Sequence, residues 1–147
     1  MHAPLAPTRR LPIASDVDLA RVRHQVRQAA ADLGFGLVQQ TKLITAASEL
    51  ARNTLVHGGG GHVEMTLLEQ GHARGLRLSF VDTGPGIRDI ELAMTDGYTT
   101  GGGLGLGLSG ARRLVQELVI DSRPGQGTTV TITDWLAGLP APRPGAP

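Results

Sequence analysis

Glu49 and Asn53 stand four residues apart in a stretch whose apolar spacing is helical, so both side chains leave one helix face. One supplies a carboxylate that can take up a proton, the other a neutral oxygen ligand. A magnesium ion accepts such a ligand, because it keeps most of its waters and leans on a nucleotide's phosphates for the rest. The same pair on a merely solvated face would do no chemistry, so its meaning depends on what accompanies it. Asp82 closes an apolar run and is followed by Thr83-Gly84-Pro85-Gly86-Ile87. A carboxylate there can accept a hydrogen bond from an exocyclic amine, while Gly84 and Gly86 let the backbone pass close to a flat ligand. A plain turn would use the same residues. Thr99 to Gly107 reads Thr-Thr-Gly-Gly-Gly-Leu-Gly-Leu-Gly and runs into a segment with Leu108, Ala111, Leu114, Val115 and Leu118 at helical spacing. Glycines ahead of a helix N-terminus offer free N–H groups and the positive end of the helix dipole, as a triphosphate requires.

Rival chemistries find less support. Gly105-x-Gly107-x-x-Gly110 has the form of a dinucleotide fingerprint, but no apolar strand precedes it and Asp121 is out of place for a βαβ unit. A P-loop is excluded, since the single lysine, Lys42, follows no Gly-x-x-x-x-Gly run. The histidines (His2, His24, His57, His62, His72) form no His-Glu-x-x-His element, and the lack of cysteine removes disulfides and thiolate metal sites. A net charge of +1 with scattered basic residues provides no face for a nucleic-acid backbone. No stretch nears the roughly 18 apolar residues of a membrane span, and no apolar h-region follows Met1 to Arg10. The expected compartment is the cytoplasm, without membrane or nucleic-acid partners.

The elements that must position these residues follow from periodicity. The length of 147 residues and 40% hydrophobic content suit one domain. It is expected over residues 9–136, between a disordered tail at 1–8 and a Pro/Gly/Ala-rich disordered tail at 137–147. Leu11 to Ala14 predicts a short strand. Ser15 or Asp16 caps a helix whose inner face is Leu19, Val22, Val26, Ala29, Ala30 and Leu33, and Gly34 ends it. Leu37 to Val56 predicts the helix carrying Glu49 and Asn53, with Ile44, Ala47, Leu50, Ala51 and Leu55 inward and the glycines from Gly58 to Gly61 as its stop. His62 to Glu69 and Leu76 to Asp82 alternate as a hairpin would. A short helix near Asp89 to Met94, a helix over Leu106 to Leu118, and strands at Val119 to Ser122 and Thr128 to Thr133 complete the order. That order predicts a two-layer α/β (α+β) sandwich, a mixed sheet covered on one face by helices.

Ser48-Glu49-Leu50-Ala51-Arg52-Asn53, Asp82 to Ile87, Gly101 to Leu108 and Gly127-Thr128-Thr129-Val130 occur in this order. Together they resemble the N, G1, G2 and G3 boxes of the GHKL (Bergerat-fold) ATPases. Asp32-Leu33-Gly34-Phe35-Gly36 and Asp96-Gly97-Tyr98-Thr99-Thr100 extend the likeness to the anti-sigma serine/threonine kinases, in particular the stressosome switch kinases. The resemblance implies ATP and magnesium as cofactors, with Glu49 as general base and Asn53 as metal ligand. It makes Asp82 the adenine anchor, Gly84 and Gly86 the adenine-side loop, and Thr128 a further adenine contact. The nucleotide-binding lid would comprise Thr100, Gly101, Gly102, Gly103, Leu104, Gly105, Leu106, Gly107 and Leu108. His57 stands where such proteins often have another ring side chain, a departure from the family's pattern. The activity implied is phosphorylation of a STAS-domain antagonist protein. The alternative is a non-catalytic module that sequesters a phosphatase or sigma factor when nucleotide is bound. A histidine-kinase catalytic domain would need a phosphoacceptor helix pair, for which the residues before Glu49 are too few.

Overall fold

Residues 3–4, 8–95 and 107–136 are described by the computed structural model of the chain. Two short strands, β1 (Ala3–Pro4) and β2 (Arg9–Ile13), precede helix α1 (Asp16–Leu33). Ser15 has the extended backbone of an N-cap, but its side chain makes no capping bond. The buried Asp18 reaches back from the first turn and accepts the Ala14 N–H at 2.8 Å, where its charge also meets the positive end of the helix. Val22, Val26 and Ala30 form the buried stripe of α1, and Gly34 ends the helix. Helix α2 (Leu37–Val56) packs back on α1 and buries Leu43, Ala46, Ala47, Leu50, Ala51 and Thr54. Ile44 and Leu55, expected inside, lie at the margin of this stripe. The Thr54 hydroxyl is buried at no cost in unpaired polarity, because it donates to the Leu50 carbonyl at 2.9 Å.

Four longer strands and two helices follow: β3 (Gly61–Gln70), β4 (Ala73–Asp82), α3 (Ile90–Ala93), α4 (Gly107–Leu114), β5 (Glu117–Ser122) and β6 (Thr128–Trp135). Their sheet order is β1-β3-β4-β6-β5, with β2 also paired to β3. Register places Val63, Phe80, Val130 and Ile120 in one row across the sheet, and Met65, Leu78, Ile132 and Leu118 in the next. These rows share one core with Val22, Val26, Leu50, Leu108 and Ala111 of the helices. The opposite face carries paired hydroxyls, Ser79 with Thr131 at 3.0 Å. It also has a small apolar cluster of Leu68, Ala73 and Trp135. Gly75 lies between Leu68 and Trp135 in the register, and a Cβ there would come 2.8 Å from the indole.

The α/β class and the single helical layer therefore agree with expectation, but the sheet is not mixed: every pairing among the described residues is antiparallel. The connection from β4 through the helices to β5 does make those two strands parallel. β6 inserts between them, pairing antiparallel to both, so no parallel ladder forms. Helix α4 is also shorter than the expected Leu106 to Leu118. It stops at Leu114, and β5 starts at Glu117. Ala3–Pro4, within the segment expected to be a tail, pairs with Leu68 and Glu69. Among the described residues no helix is long and apolar enough to cross a membrane.

Candidate functional site

The C-terminal half of α2 lies against α4 and over the end of β4, which is where the chemistry-bearing residues gather. Glu49, Asn53, Asp82, Gly86, Gly107, Leu108 and Thr128 all line one cavity of about 480 Å³ between the helices and the sheet. A volume of this order is typical of a small-molecule site. Its walls are apolar where Phe80, Ile87, Leu92 and Val130 face it. Glu49 Oε1 accepts the N–H of Gly107 at 2.7 Å, which ties α2 to the first residue of α4 and sets the carboxylate's orientation. Glu49 and Asn53 are both half-buried, exposed enough to meet a ligand and held by a helix whose other face is core.

Asp82 ends β4 with its carboxylate turned over α2's terminus. Oδ1 accepts the Gly84 N–H at 2.9 Å, an Asx-type bond that closes the loop after the strand. Oδ2 and Cγ lie over Gly58, where any Cβ would collide with the carboxylate. Gly84 in turn rests on the Gly58 backbone, with only 2.7 Å between an added Cβ and the Gly58 carbonyl oxygen. Gly84 thus supports Asp82 from behind and is not part of the cavity wall, whereas Gly86 is. Gly86 has φ of 77°, and its Cα faces the Arg123 carbonyl too closely for any side chain.

Thr128 opens β6 beside Asp82, its register partner across β4. Its hydroxyl lies 2.7 Å from Ser122 Oγ, which also accepts the Ile87 N–H at 2.8 Å. Ser122 and Gly58 were not legible as site residues from local pattern. Gly58 reads only as a helix stop. The signal for Ser122 was its place opposite Thr128 in the β5–β6 hairpin. Arg52, His57 and Arg88 also border the cavity. Thr100, Gly101, Gly102, Gly103, Leu104, Gly105 and Leu106 lie outside the described residues, as does the segment from Asp96 to Thr99. Among the described residues no cluster of three or more His, Asp or Glu could hold a metal ion on its own.

Residues 38–137 match the family described as histidine kinase-, DNA gyrase B- and HSP90-like ATPase. The chain is 40% identical over 124 residues to the serine/threonine-protein kinase RsbT of Bacillus subtilis (strain 168), covering 84% of this chain and 93% of that one. It is 29% identical over 118 residues to the anti-sigma F factor of Thermoanaerobacter sp. (strain X514), covering 78% and 82% respectively. Among solved structures it is similar to the RsbU and RsbW domains of a Mycobacterium tuberculosis protein, with a TM-score of 0.61 and 24% identity. The match takes in 88% of this chain and 32% of that one, and the likeness is one of fold.

Proposed function

The chain belongs to the histidine kinase-, DNA gyrase B- and HSP90-like ATPase family, and from that premise we propose that it is an ATP-dependent protein serine/threonine kinase of a partner-switching system, acting in the cytoplasm on a STAS-type antagonist protein. The observation that carries this reading is the convergence of Glu49, Asn53 and Asp82 on one cavity. A module that only binds needs no carboxylate placed as Glu49 is. The residues suit ATP: Phe80, Ile87 and Val130 offer apolar surface to a base, Asp82 accepts from its amine, and α4 begins at the cavity with Gly107. Bound ATP supplies the phosphoryl group, and magnesium neutralises the charge that phosphoryl transfer develops.

The roles of the chain's own residues follow. Asn53 offers its amide oxygen to the magnesium. Asp82 anchors the adenine, with Thr128 beside it, and the glycine-rich stretch from Thr100 to Leu108 is the nucleotide-binding segment. Glu49 keeps one oxygen on the Gly107 N–H and takes the proton of the attacking serine or threonine hydroxyl with the other. Replacing Glu49→Gln should leave ATP binding and partner docking intact while phosphoryl transfer, followed with labelled phosphate, slows about 10²–10⁴-fold. Asn53→Ala should weaken magnesium-dependent ATP binding and transfer together. Transfer by Glu49→Gln at the wild-type rate would refute the general-base role. A second reading, nucleotide-dependent sequestration of a sigma factor or phosphatase, draws on the relatives named anti-sigma F factor. ATP-dependent capture of such a partner with no transfer to any STAS-type protein would favour it.

A further inference from the structure

Ser122 lies at the end of β5, does not line the cavity, and makes three contacts there. Its Oγ accepts the Ile87 N–H at 2.8 Å, lies 3.1 Å from the Gly127 carbonyl oxygen, and lies 2.7 Å from Thr128 Oγ1. A serine hydroxyl has one proton and two lone pairs. A carbonyl can only accept, so the Ser122 proton goes to Gly127, whose oxygen also receives a long 3.4 Å contact from the Arg123 N–H. The Ile87 N–H takes one lone pair. All three contacts are then hydrogen bonds only if the Thr128 hydroxyl donates to the remaining lone pair of Ser122.

The consequence falls on the cavity. Thr128 borders it, and with its proton committed to Ser122 it presents lone pairs only. The neighbouring Asp82 carboxylate, across the β4–β6 ladder, is likewise an acceptor. This end of the cavity therefore accepts and does not donate. A 6-amino group has two N–H bonds for these two acceptors, while a 6-oxopurine has only its N1–H to offer and sets its 6-oxygen against oxygen. Polar mismatch of this kind discriminates strongly, because a buried group left unpaired loses its water without replacement.

We propose that Ser122 is a positioning residue that sets nucleotide-base specificity: by holding the proton of the Thr128 hydroxyl it makes that group an obligate acceptor and selects a 6-aminopurine over a 6-oxopurine. Its second bond, from Ile87, fixes the loop that follows Asp82 at the same time. The inference rests on the cavity being the ATP site, and the test separates the two. Affinities for ATP and for inosine triphosphate, which replaces the 6-amino group with an oxygen and carries a proton on N1, are measured by calorimetry on the wild-type chain, Ser122→Ala and Ser122→Thr. Ser79→Ala, which removes a strand hydroxyl on the far face of the sheet, serves as the stability control.

The wild-type chain should prefer ATP. In Ser122→Ala the Thr128 hydroxyl is released to donate, so the preference should shrink by about three- to tenfold, the worth of one net hydrogen bond. Ser122→Thr should restore it, and Ser79→Ala should leave it unchanged. A fall in both affinities of Ser122→Ala with their ratio unaltered would reduce Ser122 to a structural residue and overturn the inference. A wild-type chain that binds neither nucleotide would overturn the ATP-site reading itself.

Discussion

Asp82 shows how a single side chain acquires a role from its surroundings. One oxygen is held by the Gly84 N–H and the other lies over Gly58, so the carboxylate has little freedom to turn away from the cavity. An Asp-x-Gly-Pro-Gly turn alone would produce the first contact. The second requires a glycine at the end of α2, and that requirement joins two segments far apart in sequence. Asp82→Asn keeps the shape but replaces a charged acceptor with a neutral amide. Losing a charge-assisted hydrogen bond costs about 1.5–3 kcal/mol, or roughly ten- to a hundredfold in ATP affinity by calorimetry. An unchanged affinity would remove Asp82 from the adenine site.

At the scale of elements, the early end of α4 has a visible cause. Gln116, which periodicity assigns to the helix, is captured by β6: its N–H donates to Asp134 Oδ1 at 2.8 Å, and its side chain accepts from the Trp135 N–H and donates to the Trp135 carbonyl, both at 3.1 Å. Gln39 of α2 donates to the same carbonyl at 2.6 Å. The knot joins α2, the α4–β5 link and β6, and its centre is Asp134, only 2% exposed. Burial pushes the Asp134 carboxyl above its usual range, partly offset by the Gln116 N–H, Gln39 and the charge of Lys42. An acid whose folded pKa is raised holds its proton longer folded than unfolded. Stability is therefore lost as pH climbs from the ordinary aspartate value near 4 through the raised one. Asp134→Asn removes this titration and keeps an acceptor for Gln116. Thermal melts from acid to neutral pH should show the variant gaining on the wild type as pH rises. A difference that stays flat with pH would contradict the assignment.

In the molecule as a whole, the cavity lies at the seam of the two layers. Glu49 and Asn53 come from α2, Asp82 and Thr128 from β4 and β6, so a nucleotide bound there bridges helix layer and sheet. A ligand that binds only the folded state stabilises it by about 2.7 kcal/mol at a hundredfold excess over Kd. ATP with magnesium should raise the melting temperature of the wild-type chain and of Glu49→Gln alike, while Asp82→Asn at the same ATP concentration should lose much of the shift. An equal shift in all three would show that the stabilisation does not pass through the base-binding end.

Local order in the sequence was enough to place α1 and α2 to within a residue or so, because helix stops such as Gly34 and apolar spacing act over a few residues. It was enough, too, to put Glu49 and Asn53 on one helix face and Asp82 at a strand end, and the order of the four motifs pointed to the family. The β3–β4 hairpin was legible, but the absence of any parallel ladder among the described residues was not, since it depends on β6 entering between β4 and β5, a choice made by long-range register and core packing. The end of α4 depended on hydrogen bonds from residues almost twenty positions away, with which no helical propensity competes. The same holds for Gly58 beneath Asp82 and for Ser122 beside Thr128. Each is an ordinary residue in its own segment, and only the packing of one chain segment on another turns it into part of the site.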